Sequence, residues 1–387
     1  MKNILLISHY LGLSGAPYSL LRHASYFRDA GHHVDVWTID FFEDNRLEPE
    51  YIKAGFYPIH IANNAASIDA CYRKQQKKYD LIVCNTTCTY LAYNTLSKFG
   101  VPIIWFIRET VGIPSEYAWN WNFATVLKHC YNIYVPSDHS ADVLRRFNKN
   151  VRVVNNAVAD TFRKFVSPRE ELRIGYIGSL EQRKGVFILI QAFKSLLEEY
   201  PDSTLLIAAD YENELGRPLK GMASGVNQII WLGAVQNERK EEFFDAIDVL
   251  CVPSFDEPSG LTLAEGAMKG KILITTETTG AKYLVDSNNG YIVTPGSVEE
   301  LFSALKGIGR LDARVKESFQ YHSRENYLKF STPAREKENV LQMLAENDGN
   351  QPPYTMHRKL KKRTLWYRIA NRLRAYYVLW AIKRKII

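Results

Sequence analysis

The sequence predicts an α/β protein of two doubly wound domains with a helical tail, and three observations carry that prediction. Short apolar runs of the buried-strand kind alternate with helical stretches along most of the chain, the pattern of parallel βαβ sheets. Each half opens on an apolar strand that empties into a glycine-bearing loop ahead of a helix. The length, 387 residues, suggests two units of this kind.

In the first half, Ile4 to Ser8 is a buried-type strand. Gly12 and Gly15 follow in a loop, Ser14 and Pro17 open a helix that runs to about Ala30, Gly31 closes it, and Val34 to Thr38 is the second strand. The glycines lack the G-x-G-x-x-G spacing of a dinucleotide fingerprint, and a tight turn that serves only packing is one reading of them. Asp80 to Asn85 is a strand that ends in Asn85-Thr86-Thr87, and Val101 to Ile107 ends in Arg108-Glu109-Thr110. Open α/β sheets place ligands at such strand ends. Arg108 is a candidate to stabilise negative charge and Glu109 to orient a hydroxyl. A buried structural ion pair is the alternative for the two. Pro114 to Phe123 is dense in Tyr and Trp, either a substrate-facing lip or core packing. Ile133 to Ser137 is the next strand and Asp138 to Arg146 the next helix.

In the second half, the strand Arg173 to Leu180 leads into Gln182-Arg183-Lys184-Gly185 and then a helix from Val186 to Tyr200. Glycine and cations ahead of a helix make a phosphate cradle, with Gly178, Arg183 and Lys184 as its candidates; solvated helix-start residues are the alternative. A strand follows at Ser203 to Asp210. The stretch from Cys251 to Thr276 holds strand, loop, helix and strand, with Glu257 and Glu265 eight residues apart across the loop-to-helix junction. Ser259 is the expected N-cap, and Gly260 removes the side chain where the helix begins. The amides of Gly260, Leu261 and Thr262 are then unpaired, an anion site that fits a diphosphate. Glu265 would accept hydrogen bonds from ribose-like hydroxyls, and Glu257 from a group that the diphosphate carries. An ordinary surface strand–loop–helix unit is the alternative. Ser297 and Glu300 form a capping box.

Net charge is +7, yet eleven Lys/Arg and no Asp/Glu follow His357, which leaves the rest of the chain at −4. The basic character belongs to a tail, which argues against a nucleic-acid-binding body. Within residues 354–387, Trp366, Ile369, Ala370, Leu373, Tyr377, Trp380 and Ala381 share a helical face, suited to an anionic membrane surface or to docking on the first domain. Five cysteines form no disulfide framework, Cys84 and Cys88 lack further soft ligands for zinc, and no D-x-D occurs. No signal peptide and no run of about 20 apolar residues is present. The expected location is cytoplasmic, peripheral on the inner face of the cell membrane.

The spacing E-P-S-G-L-x-L-x-E from Glu257 to Glu265 resembles the E-x7-E signature of the family 4 glycosyltransferases, which have the GT-B fold. The resemblance runs over about residues 3–345 and is strongest from Ile174 to Gly296. Gly15-Ala16 and Gly31-His32-His33-Val34 are similar to the family's G-G-A loop and G-H-x-V turn. Val151 to Val158 is similar to its V-x-V-x-x-N-G-V segment, with Asn156 on the Asn. Gly178, Lys184 and Gly185 match its G-R-x-x-x-x-K-G, with Ser179 in place of the Arg. Asn289 to Gly296 matches N-G-x-L-V-x-P-G. Arg108 stands where many members carry a catalytic histidine, and Tyr283 where they carry a Glu.

The resemblance implies Rossmann-like domains at 1–165 and 170–325 facing across a cleft, a linker near Asp160–Arg169, and a helix at 326–346 crossing back to the first domain. It implies a hexosyltransferase-type, metal-independent, retaining transfer from a nucleotide-sugar. Glu257 would touch the donor sugar, Glu265 the ribose, and Ser259 to Thr262 the diphosphate. Lys184 and Arg183 would balance the leaving charge, and Gly12 and Gly15 would approach acceptor or diphosphate. No cofactor is implied; the substrate is a UDP- or GDP-sugar. The acceptor is a glycan or lipid-linked sugar in polysaccharide or glycolipid assembly. A nucleotide-sugar 2-epimerase of the same fold and a non-catalytic nucleotide-sugar-binding protein are the competing readings.

Overall fold

A computed structural model describes residues 1–41 and 43–347; the tail expected at 354–387 lies outside them. The first domain is a seven-stranded sheet of β1 (Asn3–Ser8), β2 (His33–Thr38), β3 (Ile59–His60), β4 (Leu81–Asn85), β5 (Ile103–Phe106), β6 (Ile133–Val135) and β7 (Val151–Val153). The second is six-stranded: β8 (Arg173–Ile177), β9 (Thr204–Ala208), β10 (Ile229–Trp231), β11 (Val249–Val252), β12 (Ile272–Thr276) and β13 (Gly290–Val293). Their orders are β3-β2-β1-β4-β5-β6-β7 and β10-β9-β8-β11-β12-β13. Every pairing is parallel.

Parallel strands covered on both faces must be apolar throughout. Ile4, Leu5, Leu6 and Ile7 of β1 are accordingly all buried. One face of the sheet packs on Tyr93, Trp105 and Phe123, the other on Leu20, Phe27 and Tyr51. In each sheet the strand order reverses at the first strand, between β1 and β4 and between β8 and β11. A crevice opens beyond the carboxyl ends of the strands at such a reversal. No helix among the described residues is long and apolar enough to cross a membrane.

The chain changes domain earlier than the 160–169 linker expected. Val154 packs in the first core, whereas Val158 and Phe162 pack against the second. The Phe165 ring packs at a 49° tilt against Tyr321 of the second domain, so the linker residues are bound to that domain's surface. The return crossing is also different. The helix expected over 326–346 is the end of one helix, Ala313–Phe330, and the whole of another, Pro333–Glu346. Thr332 caps the second through its Oγ1, and Pro333 presets the first turn. The two crossings touch: the Val158 amide donates to the Ser331 carbonyl at 3.2 Å, and the Tyr327 hydroxyl donates to the Val158 carbonyl at 3.0 Å. Two adjacent strands of chain between two rigid sheets are the geometry of a hinge.

The crossing helix is clamped to the first domain by a buried carboxylate. Glu336 accepts from Arg22 Nε and Nη2 at 2.8 and 2.9 Å and from the Tyr26 hydroxyl at 3.0 Å, with His23 Nε2 3.6 Å away. Val340, Met343 and Leu344 add the apolar part of the contact. Burial alone would raise the Glu336 carboxyl, but the neighbouring His23 and the doubly hydrogen-bonded Arg22 hold it well below the carboxylate range. Burial lowers His23 to about 4. Both groups are depressed, so both contribute stability at neutral pH that is lost on acidification: His23 from about 6.5 downward, Glu336 from about 4.3 downward. Glu336→Gln is expected to lower stability by about 2 kcal/mol at pH 7. It should also flatten the acid limb of a plot of Tm against pH below about 4.3. An acid limb identical to that of the unsubstituted chain would remove Glu336 from this role.

Candidate active site

Two helix N-termini, one from each domain, face each other across the interdomain crevice. The first helix, Gly15–Asp29, follows β1. Its N-cap Ser14 is extended and makes no side-chain cap, because its Oγ accepts the Tyr10 hydroxyl at 2.6 Å. The second helix, Leu261–Met268, follows β11. Its N-cap is Gly260, not the expected Ser259, and no side chain caps it. Gly260 sits at φ +72, and a Cβ there would lie 2.7 Å from Ala281 Cβ and 2.8 Å from Ala281 N. Only glycine fits that left-handed, crowded position. The Ser259 hydroxyl instead accepts from Asn156 Nδ2 at 3.0 Å. Both helices therefore leave their first amides for a ligand, at the positive ends of their dipoles. They are close: a Cβ on Gly15 would meet Leu261 Cδ1 at 3.7 Å.

The cleft between them has a volume of about 450 Å³. From the first domain it is lined by His9, Tyr10, Ser14 to Ala16, Thr86, Arg108 to Val111 and Asn156. From the second it is lined by Arg183, Lys184, Asp256 to Ser259, Leu261 and Thr262. Lys184 ends a single 3-10 turn, Gln182–Lys184, and Gly185 at φ +68 starts the Val186–Leu196 helix without a side-chain cap. The Lys184 ammonium pairs with the Glu257 carboxylate, and Arg183 Nη1 lies 3.9 Å from the same acid. Ser179, in place of an arginine, donates to Glu181, which also holds Arg183 Nε at 2.7 Å.

Arg108 and Glu109 lie at the end of β5 and do not pair with each other. Arg108 Nε donates to Asn85 Oδ1 at 2.6 Å and Nη1 to Asn156 Oδ1 at 3.0 Å. The guanidinium stacks 4.0 Å from the centre of the Phe106 ring. Burial brings its pKa down to about 10, which leaves it charged at neutral pH. Glu109 Oε2 accepts the amides of Thr87 and Arg108, both at 3.1 Å. Burial raises its pKa against those hydrogen bonds. Glu109 also walls a second cavity of about 200 Å³, beside Tyr90, Ile113 and Phe123. Burial and then the charge of Arg108 lower His9 to about 3, so it is neutral.

The loop Asp256–Ser259 is held by the opposite domain. Thr110 Oγ1 donates to Asp256, His139 Nε2 lies 2.7 Å from its other oxygen, and Ser137 Oγ donates to the Pro258 carbonyl at 2.6 Å. Asp256, His139, Thr110 and Ser137 were not among the candidates read from the sequence. Nothing in their spacing marks them, because each contact joins residues more than a hundred positions apart. Asn156, legible only as a motif match, turns out to join Arg108 to Ser259.

Four candidates, Gly12, Gly178, Gly260 and Glu265, are not among the residues that line the cleft. Gly12 is buried, and a Cβ there would lie 2.2 Å from the Tyr10 ring and 2.5 Å from Asp44 Oδ2, which is the packing reading. Gly178 directly follows β8 beside Tyr176, whose hydroxyl would lie 3.2 Å from a Cβ. Glu265 is one turn along the Leu261–Met268 helix, with its carboxylate 2.6 Å from Lys240 Nζ. The Tyr- and Trp-rich segment divides: Trp119 and Trp121 are exposed, while Phe123 is core.

The family model described as Glycosyltransferase Family 4 matches residues 13–162, and that described as Glycosyl transferases group 1 matches residues 171–309. The chain belongs to the family 4, group 1 glycosyltransferases. It is 26% identical over 144 residues to the phosphatidyl-myo-inositol mannosyltransferase of Mycolicibacterium smegmatis, a match over 36% of this chain and 37% of that one. It is 31% identical over 134 residues to the lipopolysaccharide glucosyltransferase WaaG of Escherichia coli, over 34% of this chain and 35% of that one. The chain thus spans less than half the length of these two relatives. Its fold is GT-B. Anabaena HepE in complex with UDP superposes with a TM-score of 0.75 at 16% identity, over 89% of this chain and 100% of that one. Sucrose-phosphate synthase of Thermosynechococcus elongatus superposes at 0.70 and 18% identity, over 89% and 99%.

Proposed function

We propose that the protein transfers a hexose from a UDP- or GDP-sugar to a glycan or lipid-linked acceptor, with retained anomeric configuration. The reading rests above all on the two uncapped helix N-termini that meet across a cleft carrying Lys184 and Arg183. Amides and cations converging there favour a diphosphate and the charge it gains as it leaves. The bond from the anomeric carbon to the diphosphate oxygen breaks, the acceptor oxygen takes its place, and the acceptor proton leaves with the diphosphate. The amides of Leu261 and Thr262 take the phosphate oxygens. Lys184 turns from Glu257 towards them, which frees Glu257 to accept from a sugar hydroxyl. Glu109, shared with the smaller cavity, orients the acceptor. Glu265 takes the ribose if the nucleotide extends along the helix beyond the cleft.

The acceptor class draws support from the relatives, whose names describe transfer to phosphatidyl-myo-inositol and to lipopolysaccharide. HepE, with UDP and UDP-glucose bound, supports a uridine donor. Polysaccharide or glycolipid assembly at the inner membrane face is the setting proposed.

Thermal unfolding with UDP, GDP, ADP and their hexose derivatives tests the reading. A ligand at about 100 times its Kd stabilises the native state by about 2.7 kcal/mol, a shift of several degrees. One nucleoside diphosphate and its sugar should raise Tm, and glycolipid acceptor should then trigger its release. No shift with any of them would end the reading. Interconversion of the free nucleotide-sugar without acceptor would indicate an epimerase instead.

A further inference from the structure

Arg108 is held more tightly than a solvated cation and yet is left incomplete. It is 8% exposed, Asn85 and Asn156 fix two of its nitrogens, and Phe106 fixes its plane. Its Nη2 is buried in the cleft wall without a hydrogen-bond partner. Both oxygens that it does contact are neutral amide oxygens. Glu336 and Glu109 act on it only through space, and neither is within ion-pair distance. A buried guanidinium without an anionic partner is costly, and its rigid fork suits carboxylate or phosphate oxygens. On its other side Asn156 joins Arg108 Nη1 to the Ser259 hydroxyl, just ahead of the second helix. Arg108 is therefore one side chain away from the amides that face the cleft from the other domain.

We infer that Arg108 Nη2 binds an anionic oxygen of the donor, supplying from the first domain a countercharge that the second domain alone does not complete. The oxygen belongs either to the diphosphate or to a carboxylate on the transferred sugar, as in a uronic acid. The inference rests on the reading of the cleft as a donor site. In either case Arg108 makes donor affinity depend on both domains at once, and the Thr110, His139 and Ser137 contacts to Asp256 and Pro258 set the distance between them.

Calorimetric titration of the full chain with UDP, GDP, UDP-glucose, UDP-glucuronate, GDP-mannose and GDP-mannuronate separates the cases. Arg108→Met and Arg108→Lys are compared with the unsubstituted chain, with ligand-free melting as a control for folding. Lysine keeps the charge without the fork, and serves if methionine fails to fold. A loss of about tenfold or more for the bare nucleoside diphosphate and for neutral and uronate donors alike identifies the diphosphate as the partner. A loss confined to the uronate donor, matched by a preference for it over the neutral donor in the unsubstituted chain, identifies the carboxylate. Unchanged affinities for every ligand in a folded variant overturn the inference while leaving the donor site in place. No binding of any nucleotide by the unsubstituted chain removes the donor reading itself, and this inference with it.

Discussion

Gly185→Ala is expected to abolish donor binding and to destabilise the protein by about 3 kcal/mol or more. Gly185 sits at φ +68, where an L side chain costs about 1–2 kcal/mol before any contact is considered. A Cβ there would lie 2.1 Å from the Pro253 carbonyl oxygen and 3.0 Å from its carbon. Those are backbone atoms at the exit of β11, and the Phe255 amide ties the same loop to the Arg183 carbonyl at 2.7 Å. The loop cannot retreat without moving Asp256 and Glu257, so Lys184 and the second helix end would separate. Denaturant unfolding and nucleotide titration check the two halves of the prediction. A variant with ordinary stability and ordinary affinity would show that the two loops are not tied to each other.

Lys184→Met is expected to lower kcat/KM by about 10²–10³, the scale seen when one donor to a developing anion is removed. The loss has two parts. The leaving diphosphate loses a cation, and Glu257 loses its partner, with Arg183 Nη1 still 3.9 Å away. An acid left alone beside a diphosphate repels it. Adding Glu257→Gln to Lys184→Met should therefore restore part of the nucleotide affinity while turnover stays low, since Glu257 is then missing from the sugar. Binding and nucleoside-diphosphate release measured over the four chains give the coupling between the pair. Additive losses in both quantities would mean that the pair is a surface ion pair with no part in the reaction.

The placement of the helix Leu261–Met268 between β11 and β12 was legible because its signals are local: an apolar strand, a glycine turn, a helical stretch and a second strand. The cap was misread because Ser259 and Gly260 are both good cap residues, and the choice depends on Thr279 and Ala281 crowding Gly260. For Arg108 and Glu109 an ion pair was the alternative to a role in the site. Successive residues leaving a strand point apart, so Arg108 reached Asn85 and Asn156 while Glu109 turned back to backbone amides. The linker was set late because the resemblance closes the first domain with the Val151–Val158 segment, although Val158, Phe162 and Phe165 anchor the chain to the second domain.

Periodicity, glycine positions and the E-x7-E spacing were enough to determine two parallel α/β domains, most of their central strands and the family. Those properties are written in runs of neighbouring residues, where strand and helix periods and turn chemistry act. The tertiary structure alone decided which groups meet in the cleft: that Asn156 links the domains, that Asp256 is held by Thr110 and His139, and that Arg108 is left one partner short. Each of those depends on how two rigid sheets turn about the paired crossings at Val158 and Ser331, an angle set by packing over the whole interface and by no short segment of the chain.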